Sequence, residues 1–135
     1  MKFVLDTNVL VSSLSSRSPF HWVIEGLRAN RYKMIVSTPI LLEYDEILTQ
    51  KYGKSTAQIF LDALMLRQNL QLVDPRFQWH FLSDPEDDKF VDAAIAGSAD
   101  FIVSEDRDFR VLKNIDHPTI IAISIVEFQR LIVSI

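Results

Sequence analysis

The chain has 135 residues, no cysteine, and 18 acidic against 14 basic residues for a formal charge of -4. That length is the usual size of one domain, so residues 1–135 are read as a single unit, and 48% hydrophobic residues supply one substantial core. The missing cysteine excludes disulfides, thiolate catalysis and cysteine-ligated zinc, and the acidic balance weighs against strong nonspecific nucleic-acid binding unless cations neutralise the acids.

Lys2-Phe3-Val4-Leu5 is a short apolar run that stops at Asp6, which reads as a buried first strand. The opening MKFVLDTNVLV is not expected to act as a signal peptide, because Asp6 interrupts the apolar run and no small-residue cleavage site follows. No stretch approaches the ~18 apolar residues of a membrane span, so a cytoplasmic protein is expected. Residues 8–14 make a short helix. A polar loop leads to Pro19, after which Phe20, Val23, Ile24 and Leu27 show helical spacing. Tyr32 to Val36 reads as strand two. Ser37-Thr38-Pro39 then supplies a cap and a first-turn proline for a helix running to Gly53. Ser55 caps another helix carrying Ile59, Leu61, Leu64 and Met65, and Leu70 to Val73 is strand three. Residues 74–83 form a loop whose Phe77, Trp79 and Phe81 are expected to pack beneath it. Asp84-Pro85-Glu86-Asp87 opens a helix to about Ser98. Phe101-Ile102-Val103 is strand four, Thr119 to Ile123 strand five, and Ser124 caps the last helix. Strand and helix alternate, which predicts an α/β domain with a mainly parallel five-stranded sheet flanked by helices.

In such sheets ligands bind outside the carboxyl ends of the strands. Acids fall there. Asp6 follows strand one, Asp106 lies three residues past strand four, Glu43 sits one turn into the helix after strand two, and Asp88 is in the first turn of the helix before strand four. Two unit charges ~5 Å apart repel by roughly 3 kcal/mol at an effective dielectric of ~20, so several such pairs would rival the stability of the whole domain. A divalent cation between them removes the conflict, and oxygen ligands without cysteine or a histidine pair favour Mg²⁺ or Mn²⁺. Taken singly, Asp84, Glu86 and Asp87 read as a cap and first-turn acids that favour the helix dipole. Asp88 and Asp92, four apart, share a helix face.

Four segments in order, Val4-Leu5-Asp6-Thr7-Asn8-Val9-Leu10-Val11-Ser12, Ile35 to Tyr44, Asp84-Pro85-Glu86-Asp87-Asp88-Lys89-Phe90 and Ala99 to Phe109, give the chain its resemblance to PIN-domain ribonucleases. It resembles in particular the toxin components of bacterial and archaeal toxin–antitoxin pairs. The resemblance implies Mg²⁺- or Mn²⁺-dependent cleavage of RNA, leaving a 5′-phosphate and a 3′-hydroxyl. Asp6, Glu43, Asp88 and Asp106 are then the catalytic and metal-holding acids, with Asn8, Ser104 and Asp108 supporting them. It also implies an antitoxin partner and a homodimer. Glu105 departs from the small residue many relatives carry. Arg107 and Arg110 are expected phosphate contacts. Arg31 and Lys33 beside Tyr32, and Lys51 and Lys54 beside Tyr52, are further candidates for single-stranded RNA. His21, His80 and His117 show no metal spacing. A nuclease for structured DNA, or a catalytically weak PIN-like module binding RNA or a protein, are the competing readings. A phosphoacceptor receiver is excluded, since it needs adjacent acids after strand one and a lysine after strand five.

Overall fold

The computed structural model describes residues 1–133. Five strands, β1 (Lys2–Leu5), β2 (Lys33–Ser37), β3 (Leu70–Val73), β4 (Phe101–Val103) and β5 (Ala122–Ile123), form one sheet in the order β3-β2-β1-β4-β5. Every pairing is parallel. The helices are α1 (Thr7–Ser13), α2 (Trp22–Arg28), α3 (Thr38–Tyr52), α4 (Lys54–Met65), α5 (Asp88–Gly97) and α6 (Ile125–Val133), with 3₁₀ turns at Pro85–Asp87 and Arg107–Asn114. Among the described residues no helix is long and apolar enough to cross a membrane.

The central strand explains the run of apolar residues at its start. Phe3, Val4 and Leu5 have no exposed surface, because helices cover both faces of β1. On one face Phe3 meets Phe128 of α6 at 4.6 Å between ring centroids and Tyr32 at 5.8 Å. On the other, α5 lies so close that a Cβ on Gly97 would stand 2.8 Å from Ile35 Cδ1 and 3.2 Å from Val73 Cγ1. Only glycine fits that approach.

The element order matches the sequence reading, and the boundaries differ for local reasons. Tyr32 stays outside β2, with its ring in the core and its hydroxyl donating to Val23 O at 2.6 Å. Strand five shrinks to Ala122–Ile123, which pair with Ile102 and Val103, since β4 offers only three residues. The helix expected from Asp84 begins as a 3₁₀ turn and becomes α-helical only at Asp88. After β4, Asp106 accepts from the Asp108 N–H at 3.0 Å and starts the 3₁₀ segment that buries Phe109 and Leu112.

Candidate functional site

Asp6 is placed by the end of the sheet. Its N–H extends the ladder to Val103 O at 3.0 Å, and its C=O accepts from Val9 and Leu10 to begin α1. The side chain is left at the carboxyl edge, 8% exposed. Burial pushes its pKa up. The Ser104 hydroxyl, donating to Asp6 Oδ2 at 2.7 Å, and the Thr7 N–H oppose that rise, while the charges of Glu43 and Asp106 add to it. Ser104 also accepts from the Asp106 N–H at 3.0 Å, so one hydroxyl ties together the acids that follow β1 and β4.

Glu43 reaches the same edge from α3. Tyr44, fully buried, donates its hydroxyl to Leu5 O at 2.5 Å and pins that helix to the end of β1. Glu43 Oε2 accepts from the Thr7 hydroxyl, and Oε1 pairs with Lys89 Nζ at 2.8 Å. This acid therefore has a cation beside it, one that also lies 3.7 Å from Glu86.

The acids opening α5 divide by direction. The Asp87 carboxyl is pushed up to about 7, by burial first and then by the charges of Asp6, Asp84, Asp106 and Asp108. Asp84, Asp87 and Asp108 each bring a carboxylate oxygen within 4.8 Å of the other two. Asp88 points elsewhere. Its Oδ1 accepts from the Leu82 N–H at 3.2 Å, and its Oδ2 lies 3.5 Å from His80 Nδ1. One turn on, Asp92 Oδ1 accepts from the Trp79 N–H at 3.0 Å. Asp88, expected beside Asp6 and Asp106, has its contacts on the loop side, and it is Asp87 that feels the charges of Asp6 and Asp106. Neighbours on a helix point about 100° apart, so a single site admits one of the two carboxylates. The residues that stand close together here and were read only as capping and first-turn acids are Asp87 and Asp84. Their signal was the i, i+3 spacing that puts them on one side of a tight turn, while Asp88 and Asp92 share the other. Capping, assigned to Asp84 in the sequence, does occur: it accepts from the Glu86 N–H at 3.0 Å.

The remaining candidates separate by edge of the sheet. Asn8 is exposed and, with Asp6, Glu105 and Asp106, lines a cavity of about 630 Å³ that reaches Ile125 and Val126 at the start of α6. Glu105 spends one oxygen on α6, accepting from the Ile125 N–H at 2.7 Å. Arg107 and Arg110 are exposed on the 3₁₀ segment that Asp106 begins. Arg31 and Lys33 are at the opposite edge. Lys33 pairs in register with Lys2 where both strands begin, and the Arg31 guanidinium donates to Ile132 O at 3.2 Å. Both are removed from any surface shared with the acids. Of the expected aromatic packing under the 74–83 loop, Phe81 lies against the core, whereas Phe77 is 72% and Trp79 37% exposed.

The PIN domain family profile matches residues 2–108. No curated protein sequence matches the chain. Among solved structures, the crystal structure of VapBC2 from Rickettsia felis bound to a DNA fragment from its promoter is similar at a TM-score of 0.62 and 20% identity, over 92% of this chain and 98% of that one. The PIN domain of human SMG5 is similar at 0.51 and 13% identity, over 97% and 99%. The PIN domain of T. brucei RRP44 follows at 0.50 and 14%, over 98% and 80%. At these identities the likeness is one of fold.

Proposed function

The chain belongs to the PIN-domain family, whose members are generally nucleases, and on that premise we propose that it is a Mg²⁺- or Mn²⁺-dependent endoribonuclease and the toxin of a toxin–antitoxin pair. The observation that carries the proposal is the acid group at the carboxyl edge of the sheet: Asp6 after β1, Asp84 and Asp87 before α5, Asp106 and Asp108 after β4.

These residues fit a hard divalent cation. The donors are carboxylate oxygens, three of them within 4.8 Å of one another, and every contribution that lifts Asp87 to about 7 is burial or a like charge. In the proposal Asp84, Asp87 and Asp108, whose oxygens approach one another, hold the metal together with Asp6 and Asp106, whose charges act on Asp87. Bound there, such an ion supplies a water of lowered pKa and polarises a phosphoryl oxygen. The chain's own groups do the rest. Ser104 holds Asp6 in one orientation and couples it to the backbone of Asp106. Lys89 neutralises Glu43 and so limits the charge beside Asp6. Glu43 orients water in the site through its position next to Thr7. Arg107 and Arg110 contact phosphates of a single-stranded RNA. Asp88 is assigned to holding the loop.

The antitoxin reading takes its support from the VapBC2 likeness; a second copy of the chain belongs to the same proposal. The test is cleavage of labelled single-stranded RNA by the purified protein with Mn²⁺. Chelator-sensitive cutting that disappears in Asp6→Asn supports the enzyme. RNA binding without cutting in any divalent metal identifies a binding module instead.

A further inference from the structure

A second concavity lies against the acid group. The loop of residues 74–83 crosses α5 and is fastened to it by the Asp88 and Asp92 carboxylates, leaving a cleft of about 420 Å³ between the loop, α5 and the carboxyl end of β2. The cleft and the acid group share a wall. Lys89 lines the cleft, and its ammonium lies 2.8 Å from Glu43, whose other oxygen meets Thr7 beside Asp6. Asp87 and Asp88 are consecutive and face the two spaces, one each.

The lining narrows the occupant. Asp74, Glu86, Asp88 and Asp92 give it a negative rim, which disfavours phosphate. The acids of the cleft already have partners: Asp88 and Asp92 accept from the Leu82 and Trp79 N–H groups, and Glu86 lies 3.7 Å from Lys89 Nζ. Its size is that of a small-molecule pocket. Phe77 stands at its edge, 72% exposed and braced by Trp79 at 5.9 Å between centroids; Trp79 is in turn 5.7 Å from Phe81. Gln78 adds an amide to the lining. An exposed ring offers a stacking face, and carboxylates with an amide offer acceptors. The occupant these groups suit is neutral, planar and rich in N–H donors.

We propose that this cleft is a base-recognition subsite: it seats one unpaired nucleobase of the substrate strand, stacked on Phe77, and favours bases with an exocyclic amino group over uracil. The inference rests on the nuclease reading for its substrate, and it deepens that reading by naming what sets cleavage preference. Phe77 is the stacking platform that seats the base, and the acceptors beside it, Asp74 and Gln78 among them, set the preference for an exocyclic amino group. Asp88 and Asp92 are positioning residues that hold the loop.

The test separates the two claims. Binding of fluorescein-labelled oligo(A), oligo(C) and oligo(U), each ten nucleotides or so in length, is measured by anisotropy on the Asp6→Asn protein in Mg²⁺, and a mixed-sequence RNA is cut with the otherwise unaltered chain. Expected is roughly five-fold or greater preference for oligo(A) and oligo(C) over oligo(U), on the scale of one hydrogen bond from an exocyclic amino group to a carboxylate, made only while the base is held on Phe77. Phe77→Ala erases that preference, Phe77→Trp retains it, and in the mixed RNA the cuts fall at a fixed offset from A, C or G. Equal affinity for the three oligomers, or a preference untouched by Phe77→Ala in a protein of unchanged thermal stability, overturns the inference. So does a Phe77→Ala protein that loses only a bound protein partner. If the chain cuts no RNA yet the Phe77-dependent preference stands, the nuclease reading fails and the subsite remains. Cutting without base preference has the reverse meaning.

Discussion

Two sets of acids meet one residue apart where the 3₁₀ turn ending at Asp87 passes into α5, and they live under opposite conditions. Asp88 and Asp92 each accept a loop N–H, and they fasten residues 79 and 82 to the helix. Asp92 is raised by burial and by the charge of Asp88, yet the Trp79 N–H and His80 pull against that rise. Asp87 has no such relief: burial and four other acids push it up to about 7. The difference separates structure from chemistry. A buried carboxylate matched to a donor is part of the fold. A carboxylate such as Asp87, on which burial and like charges act together, is a conflict that folding alone does not resolve, and such conflicts concentrate at functional sites.

The sharpest way to break this comparison is to neutralise each side in turn. Asp87→Asn is expected to lower RNA cleavage by about a thousand-fold or more, the loss of several kcal/mol of transition-state stabilisation. Asp88→Asn, which can still accept from Leu82, is expected to stay within about ten-fold of the unaltered chain. Single-turnover rates in Mn²⁺ measure both. Comparable losses in the two variants would erase the distinction.

The next effect is on stability. Asp88→Ala leaves the Leu82 N–H without its acceptor and should cost about 1–3 kcal/mol in urea unfolding, with metal or without it. Gly97→Ala pushes a methyl group into Ile35 and Val73 and should cost a similar amount, about 1–3 kcal/mol, while leaving the acids in place.

A smaller effect follows from titration. The folded-state pKa of Asp87 lies above its ordinary value of 3.8, so its stabilising contribution is complete below pH ~4 and is lost as the pH climbs through about 7. Asp6 and Asp92, also raised, act in the same direction. Without divalent metal, Asp87→Asn should therefore melt above the unaltered chain at pH 8, and the two should converge near pH 4. Thermal unfolding in a chelator across that range checks the sign. Added Mn²⁺ should shrink the difference at pH 8 by stabilising only the unaltered chain.

Much of this was legible before any coordinates. Alternating apolar runs and capped helices announced a parallel sheet, and acids just past Leu5 and Val103 marked its carboxyl edge. Glu43 was readable because the Ser37 cap and Pro39 fix where α3 begins. Which way the Asp87 and Asp88 carboxylates turn was not legible. It depends on the helical phase at Asp84–Asp88, and a 3₁₀ turn advances 120° per residue where an α-helix advances 100°. Exposure of Phe77 and Trp79 was equally hidden, because a loop has no period from which to read a buried face. The position of Lys33 was recoverable: a basic residue opening a parallel strand lies at the edge opposite the site.

Calorimetric titration of Mn²⁺ into the unaltered chain, Asp87→Asn and Asp88→Asn tests the central assignment most directly. The account predicts tight binding to the unaltered chain and to Asp88→Asn, and binding weakened at least ten-fold in Asp87→Asn. Undiminished binding to Asp87→Asn together with loss in Asp88→Asn would contradict it.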